Sequence, residues 1–410
     1  MSIARGLCIF VFMALLLASN AFAGGFQLNE HGAKGMAQAG AFAARATDGS
    51  AIFWNPAGLG FQNTASAYAG VTLIMPKVSF YGPTQNNSGA ENKMNTQIFN
   101  PINGYVVYPI ADGLTAGFGV NNPYGLGTEW PDTWVGRFIT VKVDLKTFYF
   151  TPTLSYRILD NLSIGAGFNY VTGEVTLSRR VPVASVATPT EPMVNLDLSG
   201  TGMGFNVGLL YKPTTDLSVG LSYRSSVKID AEGTADFTPN YAALNFPVGD
   251  AAASLELPAT GFAAVAYKVT DVFTLEADYQ YIGWSSYDEL KVEFKKNNTS
   301  SASPKNYDDT YIIRLGGEYD LGCWKLRGGV YYDHSPVKTE YLEPLLPDAN
   351  RIGYNIGFGY QLSQHLNVDV AYLFIKFSER KAENTIHENN FDGTYKSTVN
   401  LLGVNFEYSF

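Results

Sequence analysis

Apolar and polar side chains alternate with period two over long stretches of this chain. In the closing run, Leu402, Val404, Phe406, Tyr408 and Phe410 share one face, and Gly403, Asn405, Glu407 and Ser409 share the other. In 203–212, Met203, Phe205, Val207, Leu209 and Tyr211 oppose Gly204, Asn206, Gly208, Leu210 and Lys212. In 216–224, Leu217, Val219, Leu221 and Tyr223 oppose Ser218, Gly220, Ser222 and Arg224. This period predicts β-strands with one greasy and one polar face. A soluble sandwich buries the greasy face. A membrane-spanning barrel turns it to lipid and encloses the polar face. Alternation alone does not separate the two.

The connections do. A Tyr, a short turn-like string and a new alternating run recur from Tyr108, Tyr156, Tyr211, Tyr267, Tyr319 and Tyr360, with turn formers such as Asp112-Gly113, Asp160-Asn161 and Pro213–Asp216. The other connections are long and polar, near 77–98, 121–146, 178–196, 230–254, 283–309, 334–350 and 379–397. Short turns at one rim, long loops at the other, an aromatic before each short turn and a terminal strand closing on Phe410 form the outer-membrane pattern. Six short turns join twelve strands; one more near 66–77 and the closing 397–410 give fourteen. The expected fold is an all-β transmembrane protein, a fourteen-stranded antiparallel barrel over 66–410 with both termini on the periplasmic side. Such a barrel is too wide for its own side chains to fill.

Composition agrees. Charged residues are 16%, below the roughly 25% of soluble domains, while aromatics reach 14%. Beyond residue 23 no apolar run approaches the ~18 residues of a spanning helix. The net charge of −9 argues against a nucleic-acid partner. The first 23 residues read as an export signal peptide: Arg5, an apolar core Leu7–Ala18, and an Ala21-Phe22-Ala23 cleavage pattern before Gly24. Cys8 would leave with it, so Cys323 has no intrachain partner. His31, His334, His365 and His387 are scattered without metal-ligand spacing, and no nucleophile with a general base stands out, so neither metal, cofactor nor enzyme activity is expected.

Segment 24–65 does not alternate. Gly32–Arg45 is rich in Gly and Ala, Asp48 and Ser50 suit helix caps, and Ile52–Leu59 carries Phe53, Trp54 and a Pro-braced Asn55-Pro56-Ala57 turn. So many apolar residues favour a compact helical plug inside the lumen over a periplasmic linker. This segment, with Gly25-Phe26-Gln27 at its start and Ser50–Leu59 at its end, together with the loop Pro123–Gly125 and Trp134–Phe138, resembles the FadL family of outer-membrane transporters of long-chain fatty acids. Relatives in that family admit aromatic hydrocarbons.

The resemblance implies a hatch at 24–65, a hydrophobic ligand pocket reached by Gly24, Gly25 and Phe26, and a kinked third strand that opens the wall sideways. On this sequence the gate maps to Asn55, Pro56 and Ala57 against strand 113–122, where Gly117 and Gly119 permit a kink or make room for the plug. The alternation turns Arg224, Arg314 and Arg327 inward, above the periplasmic rim, as candidate anchors for a carboxylate. Inward Glu276, Asp278, Glu318, Asp333, Asp369 and Glu407 offer them wall-bracing partners instead. Trp130, Trp134 and Phe138 are candidate capture residues on an outer-loop surface. The expected function is passive uptake, by a monomer in outer-membrane lipid, of long-chain fatty acids or similar hydrophobic molecules. Uptake of neutral hydrocarbons, and an adhesin or structural barrel, are the alternatives.

Overall fold

The computed structural model describes residues 24–83, 89–183, 190–383, 385–386 and 391–410. The expected leader at 1–23, with Cys8, and His387 lie outside them. The described strand segments join edge to edge into one closed antiparallel barrel of 14 wall strands. In chain order these are β1 (Ser66–Tyr81), β2 (Ile102–Ala111), β3 (Leu114–Asn121 and Gly125–Glu129), β4 (Lys142–Leu159) and β5 (Leu162–Arg180). Next come β6 (Met193–Tyr211), β7 (Leu217–Arg224 and Val227–Thr238), β8 (Gly249–Leu257 and Thr260–Thr270) and β9 (Phe273–Ile282 and Glu289–Phe294). The last are β10 (Thr299–Pro304 and Thr310–Asp320), β11 (Trp324–Asp333), β12 (Arg351–Gln361), β13 (Leu366–Phe377) and β14 (Gly393–Ser409). The barrel closes where β1 meets β14, from Ser66↔Ser409 to Tyr81↔Thr394. The expected short turns fall where the Tyr-marked strings place them. Gly113, for example, sits at φ 70°, a left-handed conformation that a side chain disfavours.

The wall changes polarity along its height. On β6 the outward residues Met203, Phe205 and Val207 are exposed and apolar, while Asn206 is buried inside. Further up the same strand the pattern inverts: Val194, Leu196 and Leu198 point inward and Asn195 and Asp197 outward. On β7, Leu221 and Tyr223 face out below the break at Ser225-Ser226; above it Asp230, Glu232 and Asp236 face out and Ile229, Ala231 and Phe237 face in. The lower wall is built for lipid outside and the upper wall for water outside. Exposed Tyr170, Tyr223, Tyr281, Tyr354 and Tyr372 mark the boundary, and Tyr108, Tyr156, Tyr211, Tyr319 and Tyr408 the opposite rim. The 230–254 and 283–309 stretches, expected as loops, are therefore largely strand. Val227–Thr238 pairs with Gly249–Leu257, and Glu289–Phe294 with Thr299–Pro304.

This register has a direct test. A Lys or Arg at Leu221 should cost on the order of 2–4 kcal/mol of barrel stability, and the same charge at the outward Thr234, above the break, far less. Urea titrations of the two variants in lipid vesicles measure the difference.

Residues 24–65 fold inside the ring. Two short helices, α1 (Ala33–Ala37) and α2 (Ala51–Trp54), and a 3-10 turn (Pro56–Phe61) are almost wholly buried. The small residues of this segment allow its backbone to lie directly on the wall. A Cβ at Gly220 would fall on the Ala43 carbonyl, one at Gly316 on the Gln38 carbonyl, and one at Gly165 on Pro56.

Candidate functional site

The polar inner face of the lower wall holds the hatch by its backbone. Asp278 Oδ2 accepts from the Phe42 and Ala43 amides at 3.2 and 3.1 Å, and Glu276 accepts from the Ala44 amide at 2.6 Å and from Arg45 Nε at 2.7 Å. Asn405 Oδ1 takes the Ala33 amide at 2.7 Å. Asn355, Asn206 and Ser222 donate to the carbonyls of Met36, Ile52 and Trp54. These bonds satisfy groups that would otherwise be buried and unpaired. Inward acids expected as bracing partners are thus partly spent on the hatch.

Asn55 joins hatch to wall. Its Nδ2 donates to Ala43 O at 2.9 Å and to Leu209 O of β6 at 3.0 Å, while its Oδ1 accepts from the Ala57 amide at 3.2 Å. Ser155 of β4 donates to Ala57 O at 3.3 Å. The Asn55-Pro56-Ala57 turn therefore rests on β4, β5 and β6, not on the third strand as expected. Asn55→Ala leaves three buried groups without this partner and should destabilise hatch seating by roughly 1–3 kcal/mol. Faster hydrogen exchange in 30–60, with an unchanged wall, is the expected readout.

His31 sits at the hatch centre, stacked 3.7 Å from the Phe53 ring. Its Nε2 donates to Leu28 O at 2.9 Å, and its Nδ1 accepts from Asn121 Nδ2 at 3.3 Å, which fits a neutral ring. Burial, aided by the charges of Arg224 and Arg314, pushes its pKa down to about 3 from 6.5. Between these two values a released hatch binds a proton that the seated one does not, so the stabilisation present above pH 6.5 is lost as pH falls towards 3. Hatch protection against exchange should fall from pH 7.5 to pH 5, and the fall should be smaller in His31→Asn.

The third strand does break, but higher than Gly117 and Gly119. Both glycines lie in regular register, Gly117↔Val107 and Gly119↔Tyr105, where they make room for Ile52 and Leu59 of the hatch. The break is Asn122–Tyr124. Below it Asn121 faces Tyr149 of β4, and above it Gly125 faces Lys146, so three residues bulge against two. Asn122 pins the bulge, accepting from the Ile102 amide at 2.9 Å and donating to Thr147 O at 2.6 Å. The segment Phe26–Leu28 lies along it: Leu28 N donates to Pro123 O at 2.8 Å and Gly125 N to Phe26 O at 3.1 Å. Above the bulge, Gly125–Glu129 pairs with β4 alone. On its other side, no ladder pair joins it to 96–101 among the described residues. The next tie is Asn95 N to Glu129 O at 2.7 Å. The Phe99 ring covers this interval, lying where a Cβ of Gly127 would be.

Directly inside is an aromatic cluster. Phe26 packs edge-on against Trp284 at 4.6 Å, Tyr287 at 5.7 Å and Tyr124 at 6.2 Å between centroids, and Tyr149 and Tyr307 extend the group. Two depressions, of about 750 and 680 Å³, instead lie on the lipid-facing wall, lined in part by Leu154, Val207 and Leu221 and by Leu275, Leu326 and Ile356.

The three arginines differ. Arg224 ends under the aromatic cluster, 4.9 Å above Phe53 and 5.6 Å from Tyr149. It donates to Phe53 O at 3.1 Å and weakly to Asn169 at 3.4 Å, and no described carboxylate pairs with it. Arg314 holds the hatch through Ala39 O at 3.1 Å and Asn29 at 2.9 Å and also binds Gln280. Arg327 is closed in ion pairs with Glu318, at 2.6 Å, and Asp369. Trp130 and Trp134 are buried, stacked at 4.3 Å, with Trp134 beside Phe80 and Phe391. They are interior, so they do not form the expected open capture patch. Phe138 is half-buried under Arg137, which is paired with Glu191. Tyr124, Tyr149, Trp284 and Phe99 were not among the expected site residues; Tyr124 falls in the Pro123–Gly125 loop that carries the family resemblance, and nothing in the sequence marks the other three.

The sequence matches the family described as outer membrane protein transport protein (OMPP1/FadL/TodX) over residues 14–410. The chain belongs to this family. It is 27% identical over 434 residues to a long-chain fatty acid transport protein of Escherichia coli O6:H1, covering 96% of each chain. It is 28% identical over 419 residues to a 47 kDa outer membrane protein of Pasteurella multocida, again covering 96% of each. Among solved structures, a Pseudomonas aeruginosa FadL homologue superposes with a TM-score of 0.83 at 24% identity, over 94% of this chain and 100% of that one. The Ralstonia pickettii toluene transporter TbuX superposes with a TM-score of 0.73 at 19% identity, over 94% and 100%. These last two likenesses concern the fold.

Proposed function

We propose that this protein is a passive outer-membrane channel for long-chain fatty acids or similarly shaped hydrophobic acids, with both termini on the periplasmic side and the leader removed after Ala23. The observation that carries the reading is the juxtaposition of three features: an aromatic interior at Phe26, an unpaired buried guanidinium at Arg224 below it, and a break in the wall at Asn122–Tyr124 beside it. An acyl chain suits the aromatic cluster, and a carboxylate suits Arg224, which has no ion pair among the described residues and reaches the hatch through a single hydrogen bond, to Phe53 O. Gln and Lys are poorer matches for a planar carboxylate. The ligand displaces Phe26 from the cluster, and the Phe26–Leu28 segment, which pairs with the bulge, shifts with it. Exit is sideways between 96–101 and Gly125–Glu129, past Phe99. Transport of this kind needs no catalysis.

A second reading, uptake of neutral hydrocarbons, is favoured by the aromatic residues packed around Phe26. Mass spectrometry of small molecules co-purified with the detergent-extracted protein tests both. Stoichiometric fatty acid supports the first reading, a neutral hydrocarbon the second, and neither, with no binding of added oleate, would leave only a structural barrel.

A further inference from the structure

On the outer surface, at the seam where the barrel closes, two lysines stand on either side of one threonine. Lys77 of β1 faces Thr398 of β14, and Lys376 of β13 faces the same Thr398 from the other side. All three point outward, since Phe80, Ile375 and Ser397, at positions of opposite parity, are buried inside. At the ~4.8 Å spacing of neighbouring strands the two lysine Cα atoms lie roughly 10 Å apart, and their long stems can converge over Thr398. Among the described residues neither lysine has an ion pair, whereas nearby Lys93 and Lys396 are held by Glu91 at 3.3 Å and Glu379 at 2.8 Å. On the far wall Lys228 and Lys291 pair with Asp230 and Glu293. In a chain of net charge −9, two exposed cations sharing one neighbour and no acid reverse the local sign.

Their height on the wall is set by the row beneath. There Met75 and Phe374 flank Asn400, whose Oδ1 accepts from the Tyr372 hydroxyl at 2.6 Å. Tyr372 belongs to the aromatic boundary of the lipid-facing wall, so the lysines stand just above the hydrocarbon, level with lipid headgroups. At Tyr372 the lipid-facing depression of about 680 Å³ begins, lined also by Leu326, Ile356 and Val370. Its floor is bare because two paired outward positions, Gly317 of β10 and Gly328 of β11, carry no side chains. Cations at headgroup height and an apolar groove below them are the two halves of a site for one amphiphile. We propose that Lys77, Thr398 and Lys376 bind the phosphate of a phosphorylated outer-leaflet lipid whose acyl chain lies along β13 in this groove. A phosphate accepts from both ammonium groups and from the threonine hydroxyl at once. A zwitterionic headgroup would bring its own cation into the same patch. That the leaflet is the outer one rests on the proposed orientation, with both termini periplasmic. The site itself does not depend on what the channel transports.

The test is native mass spectrometry of the full-length protein in detergent, titrated with three probes: a phosphorylated acyl-glucosamine lipid, the same lipid with its phosphates removed, and inorganic phosphate. The phosphorylated lipid should bind the parent one to one, and the dephosphorylated lipid at least roughly tenfold more weakly. Inorganic phosphate should not displace the lipid. Lys77→Gln/Lys376→Gln should lose roughly tenfold or more in affinity for the phosphorylated lipid and little for the other. Lys77→Arg/Lys376→Arg should keep it, and Lys228→Gln/Lys291→Gln on the far wall should match the parent. Gly328→Leu, whose side chain meets only ordinary contacts at its base, should fill the groove and weaken both lipids severalfold. Both lysines are exposed, so the Gln variant should melt with the parent. Equal binding of the phosphorylated lipid by the parent and the Lys77→Gln/Lys376→Gln variant would overturn the proposal. So would a parent that holds the two lipids equally, full displacement by inorganic phosphate, or unchanged lipid binding in Gly328→Leu. Fatty acid binding measured on the same variants should equal the parent's, which keeps this test apart from that of the channel reading.

Discussion

Replacing Arg224 with Gln should weaken the binding of a long-chain fatty acid roughly ten- to a hundred-fold, through loss of a charge-assisted hydrogen bond worth about 1.5–3 kcal/mol. A fatty alcohol of the same length should bind the variant and the parent alike. The comparison with the other two arginines makes the test specific. Arg327 is locked between Glu318 and Asp369, so Arg327→Gln leaves Asp369 without its cation and Glu318 with only Arg45, at 3.5 Å. Its effect should be on stability, on the order of 3 kcal/mol, and should not distinguish acid from alcohol. Arg314 holds Ala39 and Asn29 of the hatch, and Arg314→Gln should loosen the hatch for either ligand. Titrations of matched acid and alcohol against the three variants separate anchor from brace. Acid and alcohol affinities changing in parallel in Arg224→Gln would shift the reading to neutral hydrocarbons.

Much of the lower barrel was legible in the sequence because its physics is local. A strand with lipid on one side and a polar lumen on the other must alternate, and a two-residue connection must use turn formers such as Asp112-Gly113. The upper wall was not legible for a related reason. There the outside is water and the inside is an aromatic core, so the same alternation continues with its sense reversed, as at Ile229 and Asp230. Charged outward positions then read as polar loop, and stretches such as 230–254 look like loops in the sequence although the backbone stays extended. Trp284 was hidden in the same way, within a segment that looked like an outer connection.

The site was half legible. Inward arginines follow from parity, but parity says nothing about which acids lie within reach. Only the fold shows Arg327 paired, Arg314 holding hatch groups and Arg224 without an acid. Gly117 and Gly119 mislead because a small residue in a strand signals either a distortion or a close neighbour. Here the neighbour, Ile52 of the hatch, is far away in sequence. The bulge itself is marked by Asn122, whose side chain bonds replace missing ladder bonds, and asparagine next to proline has many other uses.

Deleting Pro123 should abolish uptake while leaving a folded barrel. The bulge exists because Asn122, Pro123 and Tyr124 face only two residues of β4. Removing one restores equal counts, and Gly125–Glu129 can then continue the ladder that ends at Asn103↔Asn121 and pair along 96–101. A continuous ladder closes the wall, since its N–H and C=O groups are then paired and no side exit remains. The interior binding groups, Arg224 and Trp284, are untouched, so equilibrium binding of fatty acid should survive within a few-fold. The Phe99 ring, which covers the interval beside Gly127, supplies the converse. Phe99→Ala removes the cover without altering the backbone and should leave uptake intact or faster. Uptake of a labelled fatty acid by cells with equal surface amounts of each variant, set beside binding by the purified proteins, is the measurement. Normal uptake by the Pro123 deletion would place the exit elsewhere, along the barrel axis past the hatch. In that event Asn55→Ala, which loosens the hatch on β4–β6, should alter uptake more than either change at the wall.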